Sequence, residues 1–256
     1  CPSQNSEHES LLSADYWAET RKMIREKYGD IFILPQCACA GDMSPRPLHY
    51  REAEDRKYAL KYEGYQMPNV KKETEIYRRN EIAERILNAF DEVYAWATKE
   101  KIFDAKVVHR VKTLEMKRWK PSKEQFEAAC SEYEKYKQEP FVCTGDAMAD
   151  YRENTYRSSA LSRYERVISR YEDEEDYSPV EMHVIQIGNI AFCSNPFELF
   201  VNYQHRIQAR SPFVQTFVVQ LAASIDSKNG YLCTPAAAEN AGYGANLYSC
   251  DILPEE

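Results

Sequence analysis

The chain has 256 residues, of which 43% are hydrophobic and 29% are charged, a composition typical of a globular protein with a substantial core. Its net charge of −8 disfavours nucleic-acid binding, which requires clustered Lys and Arg side chains. No stretch approaches the roughly 18 consecutive apolar residues that a membrane span needs, so we expect no transmembrane segment.

The first part of the chain predicts three helices and one strand. Ser13 is a candidate N-cap for a helix over residues 14–28, which Gly29 would end. The short apolar run at residues 31–34 is typical of a buried strand. Two further helices are predicted, over residues 48–62 and 73–99, and an apolar stripe follows the longer one.

Strands and helices alternate in the rest of the chain. Strands are predicted within residues 101–116 and at residues 180–187, 190–194 and 214–221. Helices are predicted at residues 123–137, 148–171 and 197–209. Ser122 is a candidate N-cap, Gly188 begins a hairpin turn, and the acidic run at residues 172–176 is interpreted as a solvated linker. These elements indicate a mixed α/β fold in which β-sheet layers are flanked by helices.

The loop at residues 37–47 reads Cys-Ala-Cys-Ala-Gly-Asp-Met-Ser-Pro-Arg-Pro and follows the predicted strand at residues 31–34. Such a strand-to-loop transition can hold Ser44 in a fixed, exposed pose, as a reactive or substrate-binding group requires. Ser-Pro and Gly-Asp are also common turn formers, so a structural turn and a catalytic serine both stay open. The G-x-S-x-G pattern of a nucleophile elbow is absent.

Two later segments carry further candidate site residues. Pro196 suits a helix start, which would place Glu198 in the first helical turn. An acid there is favoured by the helix dipole or, with partners, binds a metal. Tyr231 and Tyr243 lie in loops that contain glycines. Their phenols either pack within the loop, or ligate a metal, or donate to a developing oxyanion.

The histidines and cysteines give no metal-binding signature. The five histidines lack the H-x-H or H-E-x-x-H spacing, and His183 alternates with apolar residues in a predicted strand, where it faces solvent or a polar partner. The eight cysteines form no C-x-x-C pair. We interpret them as free thiols that act as small hydrophobic side chains.

Taken in chain order, these segments resemble the neutral ceramidase family (neutral/alkaline, non-lysosomal), in particular its shorter bacterial members. The resemblance includes Cys1-Pro-Ser-Gln, the Ser-Ala-Asp-Tyr-Trp segment that begins at Ser13, and the Gly-Asp-x-Ser-Pro loop at Ser44. It continues through the Pro-x-Glu turn at Glu198 and through the segments at residues 181–188, 209–212, 216–221 and 230–235.

The resemblance implies a zinc-dependent amidase that hydrolyses the N-acyl amide of ceramide, or of a related lipid-like amide, to a fatty acid and an amine. By this similarity Glu198 and Tyr231 would be zinc ligands. Tyr243 would stabilise the oxyanion of the tetrahedral intermediate. Ser44 would lie beside the metal and either attack the substrate or position it.

The family takes two histidine ligands and an arginine from a region upstream of the part that is similar here. The resemblance therefore implies that residues 1–256 are the C-terminal part of a catalytic domain that acts together with a missing N-terminal segment. Family members are often secreted or associated with the cell envelope, which is the localisation that the similarity favours. The chain departs from the family pattern at Met43, Asn189 and Gly244, where a small residue, Asp and Glu are usual.

Two other functions stay open. The chain could be a non-catalytic binding or interaction module that has inherited the fold without its metal site. It could also be a metal-independent serine hydrolase that uses Ser44, although no His and Asp partners stand out in the sequence.

Overall fold

The computed structural model describes residues 4–6, 12–46, 49–65, 71–223 and 230–254. Cys1 and Pro47, which belong to segments discussed above, lie outside the described residues. In the described part of the chain there are seven helices: α1 (Tyr16–Tyr28), α2 (Arg51–Lys61), α3 (Lys71–Ala97), α4 (Lys123–Gln138), α5 (Ala147–Glu172), α6 (Val201–Arg210) and α7 (Pro235–Glu239). The strands of the same residues are β1 (Val107–Lys117), β2 (Tyr177–Ile187), β3 (Ile190–Ser194), β4 (Glu198–Leu199), β5 (Gln215–Val219) and β6 (Tyr231–Leu232).

The strands form one four-stranded mixed sheet and one small sheet. The order of the larger sheet is β1-β2-β3-β5, in which β1, β2 and β3 are antiparallel and β5 runs parallel to β3. The connection between these two parallel strands contains α6, which packs against β5. Strands β4 and β6 pair in parallel as the second sheet. The predicted mixed α/β fold is therefore confirmed.

Local sequence signals account for several element ends. Ser122 and Gln125 form a capping box at the start of α4, in which the Ser122 hydroxyl accepts from the Gln125 amide at 3.2 Å. Gly29 ends α1 with a φ of 80°, and its amide donates to the carbonyl of Arg25. Gly188 supplies the positive φ of 61° at the turn between β2 and β3.

The main core joins the large sheet to the small one. Val180 of β2 and Val218 of β5 pack in one buried cluster with Leu199 of β4 and Leu232 of β6. Cys39 belongs to the same cluster and lies in the loop at residues 37–47, called the serine loop below because it carries Ser44. Burial of apolar area in this cluster therefore fixes β4, β6 and the serine loop against the sheet.

The prediction of a buried strand at residues 31–34 is wrong. These residues are not assigned to a strand, and Phe32 and Leu34 are exposed to solvent. Among the described residues no strand pairs with this apolar run, and its backbone is irregular. The predicted N-cap Ser13 is also displaced, because Asp15 caps α1 and the Ser13 hydroxyl accepts from the Asp15 amide at 2.9 Å.

The predicted helix at residues 197–209 begins later, at Val201. Pro196 does not start it, and Glu198 lies in β4 instead of in a first helical turn. Pairing with β6 overrides the local helix signal. The acidic run at residues 172–176 is more than a solvated linker, because Asp173 forms an ion pair with the buried Arg118.

Four of the helices pack against each other in two pairs. Helix α1 packs on α3, and α4 packs on α5. The apolar stripe predicted for α3 is only partly covered, since Ile76, Val93 and Trp96 are exposed. Among the described residues, no helix has the length and apolar character that crossing a membrane would require.

Candidate functional site

The pairing of β4 with β6 brings Glu198 and Tyr231 together. These two residues stand opposite each other in the parallel register. The Glu198 amide donates to the carbonyl of Gly230 at 2.9 Å, which fixes the backbone beside Tyr231. The Glu198 carboxylate also lies close enough to the Tyr231 phenol to raise the pKa of that phenol. Two residues that are 33 positions apart in sequence thus share one point on the small sheet.

Tyr243 completes this group from the following loop. Its hydroxyl oxygen lies 3.3 Å from that of Tyr231, and the two rings meet edge to face with centroids 5.8 Å apart. Gly244 has a φ of 70°, and a Cβ at this position would come within 2.7 Å of the Tyr231 ring. The close approach of the two tyrosines therefore depends on a residue without a side chain at position 244.

The environment keeps the Tyr231 phenol protonated. Burial raises the pKa of Tyr231 most, and the contacts with Tyr243 and Glu198 raise it further. A carboxylate can only accept a hydrogen bond, so Glu198 favours the protonated phenol. A cation at this point would reverse the effect, because a positive charge favours the phenolate.

The serine loop is attached to the same strand, β4. The Gly41 amide donates to the carbonyl of Leu199 at 3.0 Å, and the Asp42 carboxylate accepts from the Val201 amide at 2.8 Å at the start of α6. A Cβ on Gly41 would overlap the carbonyl oxygen of Glu198 and come within 2.9 Å of its carbonyl carbon. The loop backbone thus lies directly against the strand that carries Glu198.

Gln220 holds the loop and β4 together, a role for which the amino-acid pattern carries no signal. Its side-chain oxygen accepts from the amides of Ala40 at 3.0 Å and Leu199 at 3.1 Å. Its backbone amide donates to the carbonyl of Cys37 at 3.0 Å. Gln220 is 2% exposed, so these bonds form away from water and leave little freedom at the junction.

Ser44 lies at a different place from the other three candidates. Its hydroxyl accepts from the Arg46 amide at 3.2 Å, as in a serine turn. It lines a cavity of about 440 Å³ between the loop and helices α2 and α3, together with Glu54 and Arg78. Glu198, Tyr231 and Tyr243 are not among the lining residues. The structure therefore brings together three of the four predicted site residues, and Ser44 is connected to them only through its loop.

Glu198 and Tyr231 fit part of a zinc site. A carboxylate oxygen is a common zinc ligand, and the phenol oxygen of the paired residue on β6 could reach the same ion. A catalytic zinc takes three protein ligands. In the part of the chain that the structure describes, no group of three or more His, Cys, Asp or Glu side chains could hold a metal ion. A complete zinc site would need ligands from outside the described residues.

Among the described residues, no cysteine belongs to a group of side chains that could hold a metal ion. The seven that the structure describes are free thiols, as predicted. Cys233 and Cys250 are buried behind Tyr231, with their sulfur atoms 3.6 Å apart.

Comparison with known proteins adds no assignment. No family model matches this chain, and no significant match was found among curated proteins or among solved structures.

Proposed function

We propose that this chain supplies part of the active site of a zinc-dependent amidase of the neutral ceramidase type. The substrate would be ceramide or a related N-acyl lipid. One observation carries the proposal: Glu198 pairs with Tyr231 across β4 and β6, the Tyr231 hydroxyl meets that of Tyr243, and the backbone of the serine loop lies against the same strand. The resemblance in amino-acid sequence assigns the same residues to one site on independent grounds.

Three of the four predicted site residues have a role that their surroundings support. Glu198 and Tyr231 would hold the zinc, with two histidines supplied by a segment outside this chain. Bound zinc would polarise the amide carbonyl and lower the pKa of a bound water. The hydroxyl of Tyr243 is exposed enough to meet a substrate and would donate to the oxyanion that develops on the amide oxygen. Ser44 lines a separate cavity beside α2 and α3, so a role for it in binding or attacking the substrate rests on the sequence resemblance alone.

A second function is favoured by the same site. A binding module that has lost its metal would retain two oxygen donors, the Glu198 carboxylate and the Tyr231 phenol, whose pKa is raised. Such a module would contain no zinc and would not hydrolyse amides. Metal content and turnover therefore separate the two proposals.

The test uses the longest natural protein that contains this chain. We expect zinc at one equivalent by elemental analysis and release of fatty acid from an N-acyl sphingoid substrate. Glu198→Gln should lose the zinc, whereas Tyr243→Phe should keep it and lower kcat by about 10²–10³-fold. Glu165→Gln and Tyr156→Phe, which alter exposed side chains of α5, are the matched controls.

Three results would reject the amidase. These are a full-length protein without zinc, zinc that survives Glu198→Gln, or turnover that Glu198→Gln does not change. The serine is tested separately with a fluorophosphonate probe in the presence of a chelator. Labelling that is lost in Ser44→Ala would instead indicate a metal-independent serine hydrolase.

A further inference from the structure

Two histidines face each other on one side of the large sheet, away from the candidate site. His109 lies on β1 and His183 on β2, where they are diagonal neighbours: His109 is opposite Ile185, and Val111 is opposite His183. Side chains two residues apart on a strand share a face, so both rings stand on the same side of the sheet. His109 is exposed and His183 is partly exposed.

The neighbouring Glu181 fixes the tautomer of His183. The Glu181 carboxylate lies 3.0 Å from Nε2 of His183, and a carboxylate only accepts hydrogen bonds. Nε2 therefore carries a proton, and Nδ1 of the neutral ring has a free lone pair. That lone pair points at Nε2 of His109, which is 2.9 Å away. At this distance one proton lies between the two nitrogens, in a hydrogen bond that Nε2 of His109 donates to Nδ1 of His183.

We propose that His109 and His183 bind a divalent late transition-metal ion in place of this proton. A metal-binding histidine whose other ring nitrogen donates to a carboxylate is the usual arrangement in metal sites, and Glu181 provides it for His183. Imidazole pairs suit Zn²⁺, Ni²⁺ and Cu²⁺. Bonds of about 2.0–2.1 Å need the two nitrogens to point at the ion instead of at each other, which a rotation of the exposed His109 ring achieves.

Water would complete the coordination, because the sheet face at this point is open to solvent. Glu181 contacts His183 on the side away from His109, so it acts as a positioning residue and not as a third ligand. Its negative charge lowers the cost of holding a cation next to two imidazoles. The site shares no residue with Glu198 and Tyr231, and its existence does not depend on the proposed amidase.

Calorimetric titration with Ni²⁺ tests the site, using this chain without an affinity tag and with the exposed Cys143 replaced by Ser. We expect one ion per chain at neutral pH. His109→Ala and His183→Ala should each weaken binding at least tenfold, and Glu181→Ala by about tenfold or more. The exposed His205→Ala on α6 is the matched histidine control, and Glu198→Gln is the control for the other site.

A spectroscopic measurement complements the titration. Substoichiometric Ni²⁺ should broaden the imidazole resonances of His109 and His183 selectively. Circular dichroism of each variant shows whether it is folded. The proposal is overturned if the folded His109→Ala protein binds Ni²⁺ as tightly as the unsubstituted chain, if no binding occurs, or if His205→Ala weakens binding equally. Loss of binding in Glu198→Gln alone would assign the ion to the other site and reject this one.

Discussion

Replacing Gly41 with alanine should push the serine loop away from β4. The added Cβ would overlap the carbonyl oxygen of Glu198 and press on the Phe200 ring at 3.0 Å, and neither the strand nor the buried ring can give way freely. Overpacking of this kind costs about 1–3 kcal/mol. If the backbones separate, the hydrogen bond from Gly41 to Leu199 is lost as well, which adds about 0.5–1.5 kcal/mol. We expect a loss of about 2–4 kcal/mol in the free energy of unfolding.

Urea denaturation followed by circular dichroism measures this loss. With a denaturant slope near 3 kcal/mol/M, as for proteins of this size, the midpoint should fall by roughly 1 M. Gly242→Ala is the matched control, because its Cβ would meet nothing within 4 Å, and it should change stability by less than about 0.5 kcal/mol. Equal stability of the Gly41→Ala and Gly242→Ala proteins would refute the packing of the loop on β4.

Three further substitutions test other parts of the structure. The pKa of Tyr231 is raised in the folded protein, so the free energy of unfolding should fall as the pH rises above about 10, and Tyr231→Phe should reduce this fall in alkaline urea titrations. The hydrogen bond from Arg118 lowers the pKa of Asp173 to about 2, so the stability that this carboxylate adds is lost between about pH 4 and pH 2, and Asp173→Asn should flatten the acid titration there. Arg170 is buried and donates to the carbonyl of Cys250 and to the Asp251 carboxylate, each at 2.6 Å, so Arg170→Met should lower the free energy of unfolding by about 3–5 kcal/mol in urea.

Each of these expectations has a result that contradicts it. An alkaline titration of Tyr231→Phe that matches the unsubstituted chain would mean that this phenol is not buried against Glu198. Acid unfolding of Asp173→Asn that keeps its full pH dependence would remove the role of the Arg118 ion pair. Unchanged stability of the Arg170→Met protein would mean that the segment carrying Cys250 is not anchored to α5.

The sequence predicts best where the signal is local. The N-cap at Ser122, the end of α1 at Gly29 and the turn at Gly188 each depend on residues within four positions, and all three predictions are confirmed. Residues 31–34 show the opposite case. Their apolar pattern fits a strand, but a strand requires a neighbour, and the neighbour is determined by the whole fold. The same limit applies to Glu198, whose surroundings are decided by pairing with β6.

The sequence could indicate which residues belong to the candidate site, but it could not predict how they are arranged in space. Its central pair depends on a parallel contact of two residues per strand, too short for any periodic signal. Gln220 joins the serine loop to β4, yet a glutamine after a strand looks ordinary in sequence. Ser44 stands apart from the tyrosines because the loop contacts β4 at Gly41 and then turns toward α2 and α3, where Ser44 lies.

Close contacts between loop backbones and the neighbouring strands, more than the length of those strands, therefore determine where the site residues lie. Strands of two residues have little stability of their own, so their position must come from the contacts around them. Gly41 lets the serine loop reach the backbone of Glu198, and Gly244 lets the Tyr243 loop reach the ring of Tyr231. A glutamate side chain could not fit against the Tyr231 ring in this arrangement, so Gly244→Glu would have to separate the two tyrosines.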